Sequence, residues 1–442
     1  MAGPRTGQPA ALASARSHSS VSGRSEKVSL NDDLKHALLT DDVESPMMTV
    51  NLDQVHQHMT EAWLDGSDSA KRLGVKPQTL YAYVSRGRIE ARPDPGDPRR
   101  SLYRADDIER LSIRKARGRK AADVARDAIA WGEPVLASAL TTVSRGRLYY
   151  RGGDAAELAD AQTLEAVALK LWACPDAGVF AREPAPRVRM RGSAQARAFA
   201  ILAARAGVDP PALGRSPPAL WREGAGLVAD LAGALGEGVA DGPIHLILAK
   251  AWGLEGAKAD LVRRALVLMA DHELNASTFA ARVAASTGAS LAAGLLAGLA
   301  SLTGPLHGGS AARVAALIED SARDGPDAAV RAWIERGDPP PGFGHPLYPD
   351  GDPRAAALLG AFDPSPELVA LKVSAEALTG RAANIDFALA ALARTLNLPQ
   401  DAPFALFALG RSVGWVAHAL EQMQDGGLIR PRARYVGPAP GN

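Results

Sequence analysis

The 442-residue sequence predicts an all-α body preceded by a small basic module, and three observations carry that reading. Aromatic residues make up only 5% of the chain while Ala, Gly and Leu abound, a mix that lets helix axes approach closely and disfavours a β-sandwich. Beyond about residue 161, apolar residues recur at helical spacing between Pro/Gly breaks. The formal net charge of +1 is also unevenly placed: residues 71–120 hold 15 basic and 6 acidic side chains, a local net of +9, whereas residues 1–70 hold 5 and 10. A basic block beside a nearly neutral body points to a module that binds a polyanion.

Residues 1–60 read as a tail. They lack the apolar stretch of a signal peptide, and their Ser/Ala/Arg-rich start leaves a targeting segment, a disordered tail or a true start at Met47 or Met48 open. Residues 61–120 form the basic module. Asp68–Leu73 and Pro77–Ser85 predict two short helices joined by Gly74-Val75-Lys76, with Ser67 as cap of the first and Pro77 in the first turn of the second. Arg92–Pro98 is turn chemistry, Ser101–Tyr103 a short strand, Ala105–Arg114 a helix and Lys115–Lys120 a basic linker. Leu73, Val75, Leu80 and Ile89 make a small core, leaving Lys76, Gln78, Thr79, Tyr83 and Arg86 outward on the second helix. Arg99, Arg100 and Arg104 on the wing would meet phosphates. SAKRLGVKPQTLYAYVSRGRIEA followed by RRSLYRADDIERL resembles the MerR-type winged helix-turn-helix, which implies DNA as a partner; a protein-docking surface would share the same charge.

Gly146–Gly153 predicts a small hairpin or turn. Helices follow at Ala161–Ala173, Ser193–Ala206, Pro217–Leu235, Leu246–Ala251, Ala257–Ala270, Thr278–Ser286, Ser310–Ser321, Asp327–Arg336, Pro353–Leu359, Pro366–Leu378, Phe387–Leu396 and Pro403–Gln422. The small-residue run Val283–Leu302 reaches transmembrane length, but its Ser, Thr, Gly and Ala content predicts a buried core helix, and no membrane partner is expected. Cys174 alone excludes an internal disulfide framework, fits a reducing cytoplasm and reads as a buried spectator.

Four segments carry chemistry: Asp271-His272-Glu273-Leu274-Asn275, Gly304-Pro305-Leu306-His307-Gly308-Gly309, Gly342-Phe343-Gly344-His345 and Asn384-Ile385-Asp386-Phe387. Singly, each histidine could be a satisfied core or surface residue, and Asp386 a helix cap. In this order they resemble the citrate synthase family, a likeness that runs over about residues 140–437 and includes LYYRGG and RPRARYVG. The resemblance implies a two-domain helical fold, with a large domain over residues 121–307 and 392–442 and a small one over 308–391. It implies acetyl-CoA and oxaloacetate as substrates, with no permanently bound cofactor. Asp386 would be the carbon base, His307 the hydrogen-bond donor to the thioester oxygen, and His345 the residue that polarises the oxaloacetate ketone. His272, Arg354, Arg411 and Arg430 would bind oxaloacetate, the last from the partner of a homodimer. Guanidinium forks suit a dicarboxylate because they bind planar carboxylates bidentately.

Two decoys are set aside. Gly410-Arg411-Ser412-Val413-Gly414 matches a hydrolase elbow but lies within a continuous helical pattern. His272-Glu273 begins a zinc motif whose second histidine is Ala276 here, so no metal is expected. Two departures from the family stand out: Pro346-Leu347-Tyr348-Pro349 holds no basic residue for the coenzyme phosphates, with Arg313, Arg323 or Arg336 as substitutes, and Ala388-Leu389-Ala390 replaces a Ser-Gly turn. Citrate synthesis, 2-methylcitrate synthesis from propionyl-CoA, and a metabolite-sensing regulator without turnover are the three functions left.

Overall fold

The computed structural model describes residues 63–85, 88–109, 111–112, 136–181, 191–237, 242–433 and 435–438. The tail, Arg86, the linker Lys115–Lys120 and the expected boundary at residues 120/121 lie outside the described residues. The chain divides into two compact units, Met1–Val135 and Leu136–Asn442.

In the first unit, β1 (Trp63–Leu64), α1 (Gly66–Leu73), α2 (Pro77–Ser85), β2 (Ala91–Pro93) and β3 (Ser101–Arg104) precede helical residues 105–109. The strands form an antiparallel sheet in the order β1-β3-β2. The cap of α1 is Asp65, not Ser67: the helix begins at Gly66, so Ser67 lies inside the first turn, and Asp65 Oδ1 accepts from Asp68 N at 2.8 Å. Gly74 ends α1 at φ 58°, where a side chain would be strained. Arg92 and Pro93 extend β2, which narrows the expected turn; Arg92 lies 4.1 Å over the Trp63 ring.

Ala70, Leu73, Leu80, Ile89, Tyr103 and Ile108 form this unit's core, with Val75 half-buried at its edge. Tyr83, expected to face outward, packs against that core, because Leu80, Tyr83 and Val84 fall three and four residues apart on one helix face. Lys76, Gln78, Thr79, Arg99 and Arg100 are exposed as expected. Arg104 is not an open cation: it pairs with Glu90 at 3.0 Å and Asp106 at 3.8 Å.

The second unit opens with β4 (Thr141–Ser144), β5 (Arg147–Tyr150) and β6 (Gly153–Asp154). Arg145 (φ 50°) and Gly146 (φ 72°) make the tight β4–β5 turn, the positive-φ pair that matches strand twist. Two expected helices break differently. The helix expected over Ala161–Ala173 is α4 (Leu164–Trp172), capped by Thr163, and it follows a separate α3 (Ala155–Ala161), capped by Asp154, that the sequence reading did not place. The run Val283–Leu302 is not one helix; Gly288 (φ 80°) and the cap Ser290 separate α9 (Ala276–Ser286) from α10 (Leu291–Leu302). Among the described residues no helix is long and apolar enough to cross a membrane.

Between these run α5 (Ala194–Val208), α6 (Pro217–Leu235), α7 (Ile244–Ala251) and α8 (Gly256–Leu268). Then follow α11 (Ser310–Asp324), α12 (Pro326–Glu335), α13 (Pro353–Leu359), α14 (Pro366–Thr379), α15 (Ile385–Thr395) and α16 (Ala402–Asp425). Every residue of α16 from Ala405 to Leu420 is buried, the mark of a helix wrapped by others. The main core is built around it, with Leu227, Leu266, Leu295 and Trp415 fully buried. A second core joins Val314, Val330, Phe343, Leu371 and Phe387.

Candidate active site

The segments of residues 342–345 and 383–386 are brought together by backbone pairing. Gly344 N donates to Ala382 O at 2.7 Å, Asn384 N to Gly342 O at 2.8 Å, and Asn384 Nδ2 to Gly344 O at 3.0 Å. Gly342 must lack a side chain here: its φ is 87°, and a Cβ would lie 3.0 Å from Phe387 Cβ. This clasp sets His345 beside the start of α15, where Asp386 occupies the first turn.

His345, His272 and Tyr348 form a cluster. The two imidazoles stand edge to face with centroids 5.0 Å apart, and Tyr348 lies 5.0 Å from His345. His272 Nε2 and Tyr348 Oη share a hydrogen bond of 2.9 Å. Leu347 N donates to His345 Nδ1 at 3.2 Å, so neutral His345 carries its proton on Nε2. Burial, helped by the Arg354 charge, holds His345 down to about 4. His272 is held well below its ordinary value by burial and by Arg354 and Arg411.

Arg354 is buried and engages Asp352 bidentately through Nε at 3.0 Å and Nη2 at 2.8 Å. Burial alone would push the Asp352 carboxyl up; Arg354 and the Ile385 amide hold it below the usual range. Arg411 Nε donates to Met269 O at 3.1 Å, and the guanidinium lies 5.0 Å over Phe407. Among the described residues its two terminal nitrogens have no partner. Burial brings Arg411 down to about 10 while the Asp271 charge opposes the fall. Such a cation, in a dry setting without a direct carboxylate, is suited to an anionic ligand.

His307 Nε2 lies 2.8 Å from Ser277 Oγ, and its ring stands edge-on to Phe407. Ser277 Oγ also receives Trp415 Nε1 at 3.2 Å and lies 2.7 Å from Asn275 Oδ1. Burial, with Arg411 adding to it, takes His307 down to about 4, so the imidazole is neutral near pH 7. Asp386 is raised by burial, against the pull of the Ser310 hydroxyl and the Arg354 charge. A half-buried carboxylate with a raised pKa that shares the Arg354 and Arg411 charges with neutral imidazoles can move a proton from carbon and stabilise the resulting oxyanion.

Arg430 lies on the segment after α16, exposed and without a partner among the described residues. Arg313 pairs with Asp338, and Arg323 with Asp320 and Asp324, so neither is an open cation; Arg336 caps the end of α12. Sequence reasoning missed Ser277, Tyr348, Asp352 and Arg381. The first three lie inside or beside the segments it singled out. Arg381 is exposed, and its side chain covers Gly344, where a Cβ would meet Arg381 Cδ at 3.0 Å.

The family model "Citrate synthase, C-terminal domain" matches residues 244–432. The citrate synthase of Haloferax volcanii is 40% identical over 192 residues, 40% of this chain and 50% of that protein. The 2-methylcitrate synthase of Shewanella oneidensis is 36% identical over 187 residues, again 40% and 50%. The chain thus spans about half the length of these curated relatives in the matched stretch. The crystal structure of citrate synthase from Pyrobaculum aerophilum superposes with a TM-score of 0.58 at 27% identity, covering 70% of this chain and 92% of that one. Over residues 244–432 this chain is similar to the C-terminal domain of citrate synthases.

Proposed function

We propose that the protein condenses acetyl-CoA with oxaloacetate to give citrate and free coenzyme A. The observation that carries the reading is the grouping of a half-buried, raised carboxylate, Asp386, with the neutral imidazoles of His307 and His345 around the guanidiniums of Arg354 and Arg411. Asp386 takes a proton from the thioester methyl group. His307 donates from Nδ1 to the thioester oxygen, which requires the Ser277 hydroxyl to turn its single proton from Asn275 Oδ1, at 2.7 Å, to His307 Nε2, at 2.8 Å; Asn275 Oδ1 then keeps the Thr278 amide at 3.2 Å as donor and relaxes away from Ser277. His345 donates from Nε2 to the ketone as the methyl carbon attacks the ketone carbon. The ketone oxygen becomes a hydroxyl, and water then cleaves the thioester. Arg354, Arg411 and His272 hold the dicarboxylate. Arg381, next to the turn that carries His345, takes the coenzyme phosphates in place of a basic residue in Pro346–Pro349.

Residues 308–391 are the smaller domain, a division that the second core from Val314 to Ala391 supports. Arg430 reaches the neighbouring subunit of a homodimer, which its exposure permits. The winged helix-turn-helix reading of residues 61–120 is supported by the order of two helices and a paired strand wing with exposed Lys76, Gln78, Thr79, Arg99 and Arg100. A mobility-shift titration with DNA from upstream of the gene tests it; binding that ignores salt would argue against phosphate contacts.

A thiol-release assay with oxaloacetate and a series of acyl-CoAs tests the main proposal. Acetyl-CoA should give the highest kcat/KM. Preference for propionyl-CoA would favour 2-methylcitrate synthesis, the activity named for the Shewanella relative. Binding of oxaloacetate without turnover would favour a sensor.

A further inference from the structure

One face of α16 carries Arg411, Trp415, His418 and Gln422 at spacings of four, three and four residues. The first two meet the site directly. His418, fully buried, does not, yet it is the centre of a buried polar chain. Its Nδ1 lies 3.0 Å from Arg282 Nη1 and its Nε2 lies 3.2 Å from Asp271 Oδ2. A guanidinium can only donate, so Nδ1 accepts, and the proton of the imidazole resides on Nε2, where it is given to Asp271.

Arg282 is as deeply buried and cannot turn away. Its Nε donates to Gln422 Oε1 at 3.0 Å and its Nη1 to Glu421 Oε2 at 2.6 Å. On the far side, Asp271 immediately precedes His272, and its carboxylate stands against the α16 backbone, where a Cβ at Gly414 would lie 2.4 Å from Asp271 Oδ1. Asp271 is also the buried anion nearest in effect to Arg411. An imidazole that delivers one hydrogen bond to this carboxylate therefore bears on two groups that face the ligand.

We propose that His418 is a positioning residue of the dicarboxylate site: fixed as the Nε2–H tautomer by Arg282, it orients Asp271, and through it His272 and the Arg411 guanidinium. The inference rests on reading this pocket as the oxaloacetate site. A buried carboxylate deprived of its donor must shift or take up a proton, and either change reaches the adjacent His272. His418 touches no substrate in this scheme, so its effect falls on ligand affinity and not on the acyl carrier.

The test begins with side-chain 15N NMR of the full-length wild-type protein. His418 should show a protonated Nε2 and an unprotonated Nδ1; the reverse tautomer overturns the proposal. His418→Phe keeps a ring of similar volume, and His418→Gln restores a donor near Nε2. His418→Phe should weaken oxaloacetate binding about tenfold by calorimetry, the scale of one lost hydrogen bond to a charged group. The KM for acyl-CoA should stay within about twofold, the His272 ring signals of the ligand-free protein should move, and His418→Gln should recover most of the loss. Unmoved His272 signals, a parallel rise in the acyl-CoA KM, or a His418→Gln variant as weak as His418→Phe would each overturn it. Failure of the wild type to bind oxaloacetate would sink the reading of the pocket; the ring signals would still decide the role of His418. Should His418→Phe not fold, the wild-type tautomer and the His418→Gln signals decide alone.

Discussion

Asp386→Asn separates the two things that the Asp386 carboxylate does. The substitution keeps size and the Ser310 neighbour but removes the proposed base and a charge that partial burial disfavours. General-base catalysis contributes about 10²–10⁴-fold, or about 2.7–5.5 kcal/mol of barrier, so kcat should fall by that factor. Oxaloacetate affinity should change little, because the proposal places the dicarboxylate on Arg354, Arg411 and His272. Stability should move the other way. Burial raises the Asp386 pKa, so the folded protein binds this proton more tightly than the unfolded chain does. Stability therefore declines as pH rises from the unfolded carboxyl's pKa through the folded one, and at neutral pH the ionised group is a cost. Asn carries no such cost, so the variant should melt at or above the wild-type Tm at pH 7. Single-turnover measurements of acyl transfer, with calorimetry and thermal melts on one preparation, make the comparison. Turnover near wild type would remove Asp386 from the mechanism. A lower Tm at pH 7 would refute the claim that its charge is held against the pull of solvent.

Three further outcomes follow from the site. Ser277→Ala leaves His307 Nε2 and Trp415 Nε1 without their shared partner, so kcat should fall at least about 100-fold with oxaloacetate affinity kept; a fall below threefold in steady-state kinetics would mean that the His307 tautomer is set elsewhere. Arg381→Ala should raise the KM for acyl-CoA about tenfold and leave the KM for oxaloacetate alone, and an unchanged acyl-CoA KM in initial-rate assays would move the phosphate contact to another residue. His307 and His345, both near 4 in the fold against about 6.5 unfolded, take up protons more readily when unfolded between those values, so stability should drop as pH falls through that window. The loss is at most about 3 kcal/mol per histidine; urea midpoints read it, and a flat profile from pH 6.5 to 4 would show these rings to be solvated.

How much of this was legible depends on the range of the interaction. Caps, breakers and apolar periodicity are local, so α6 and α13 begin and end where the sequence places them. Local signals also mislead where two compete: Ser67 is a good cap, but Asp65 starts the helix two residues sooner. In Val283–Leu302 the apolar count hid the break, because Gly288 and Ser290 look like ordinary members of a small-residue run until the backbone turns. The segments holding His272, His307, His345 and Asp386 stand out because polar residues beside helix breakers are conspicuous in an apolar chain. What fixes them does not stand out. Ser277 meets a tryptophan 138 residues away, and Arg282 meets a histidine 136 residues away, contacts that no spacing rule encodes. Arg354 likewise reads as an open fork in sequence, while the fold occupies two of its nitrogens with Asp352.

The G-x-S-x-G segment of α16 acquires a structural meaning once those long contacts are known. Its two glycines sit where α16 crosses Met269–Asp271, and a Cβ on Gly410 would lie 2.7 Å from Leu266 O and Met269 Cβ. A Cβ on Gly414 would lie 2.5 Å from Ala270 O and closer still to the Asp271 carboxylate. Neither the carbonyl nor the carboxylate can yield cheaply, since both are buried and one adjoins His272. Close approach is what allows Arg411 to reach Met269 O and His418 to reach Asp271 from a single helix face. Gly414→Ala should therefore destabilise by about 1–3 kcal/mol or more through overpacking, although alanine is the better helix former. Gly226, inside α6, meets nothing within 4 Å of an added Cβ, so Gly226→Ala should instead gain up to about 1 kcal/mol. Denaturant melts of the two variants measure the contrast, and oxaloacetate affinity should fall for Gly414→Ala alone. Equal behaviour of the two would mean that the contact between α16 and Asp271 is looser than the one that positions Arg411 and His418 requires.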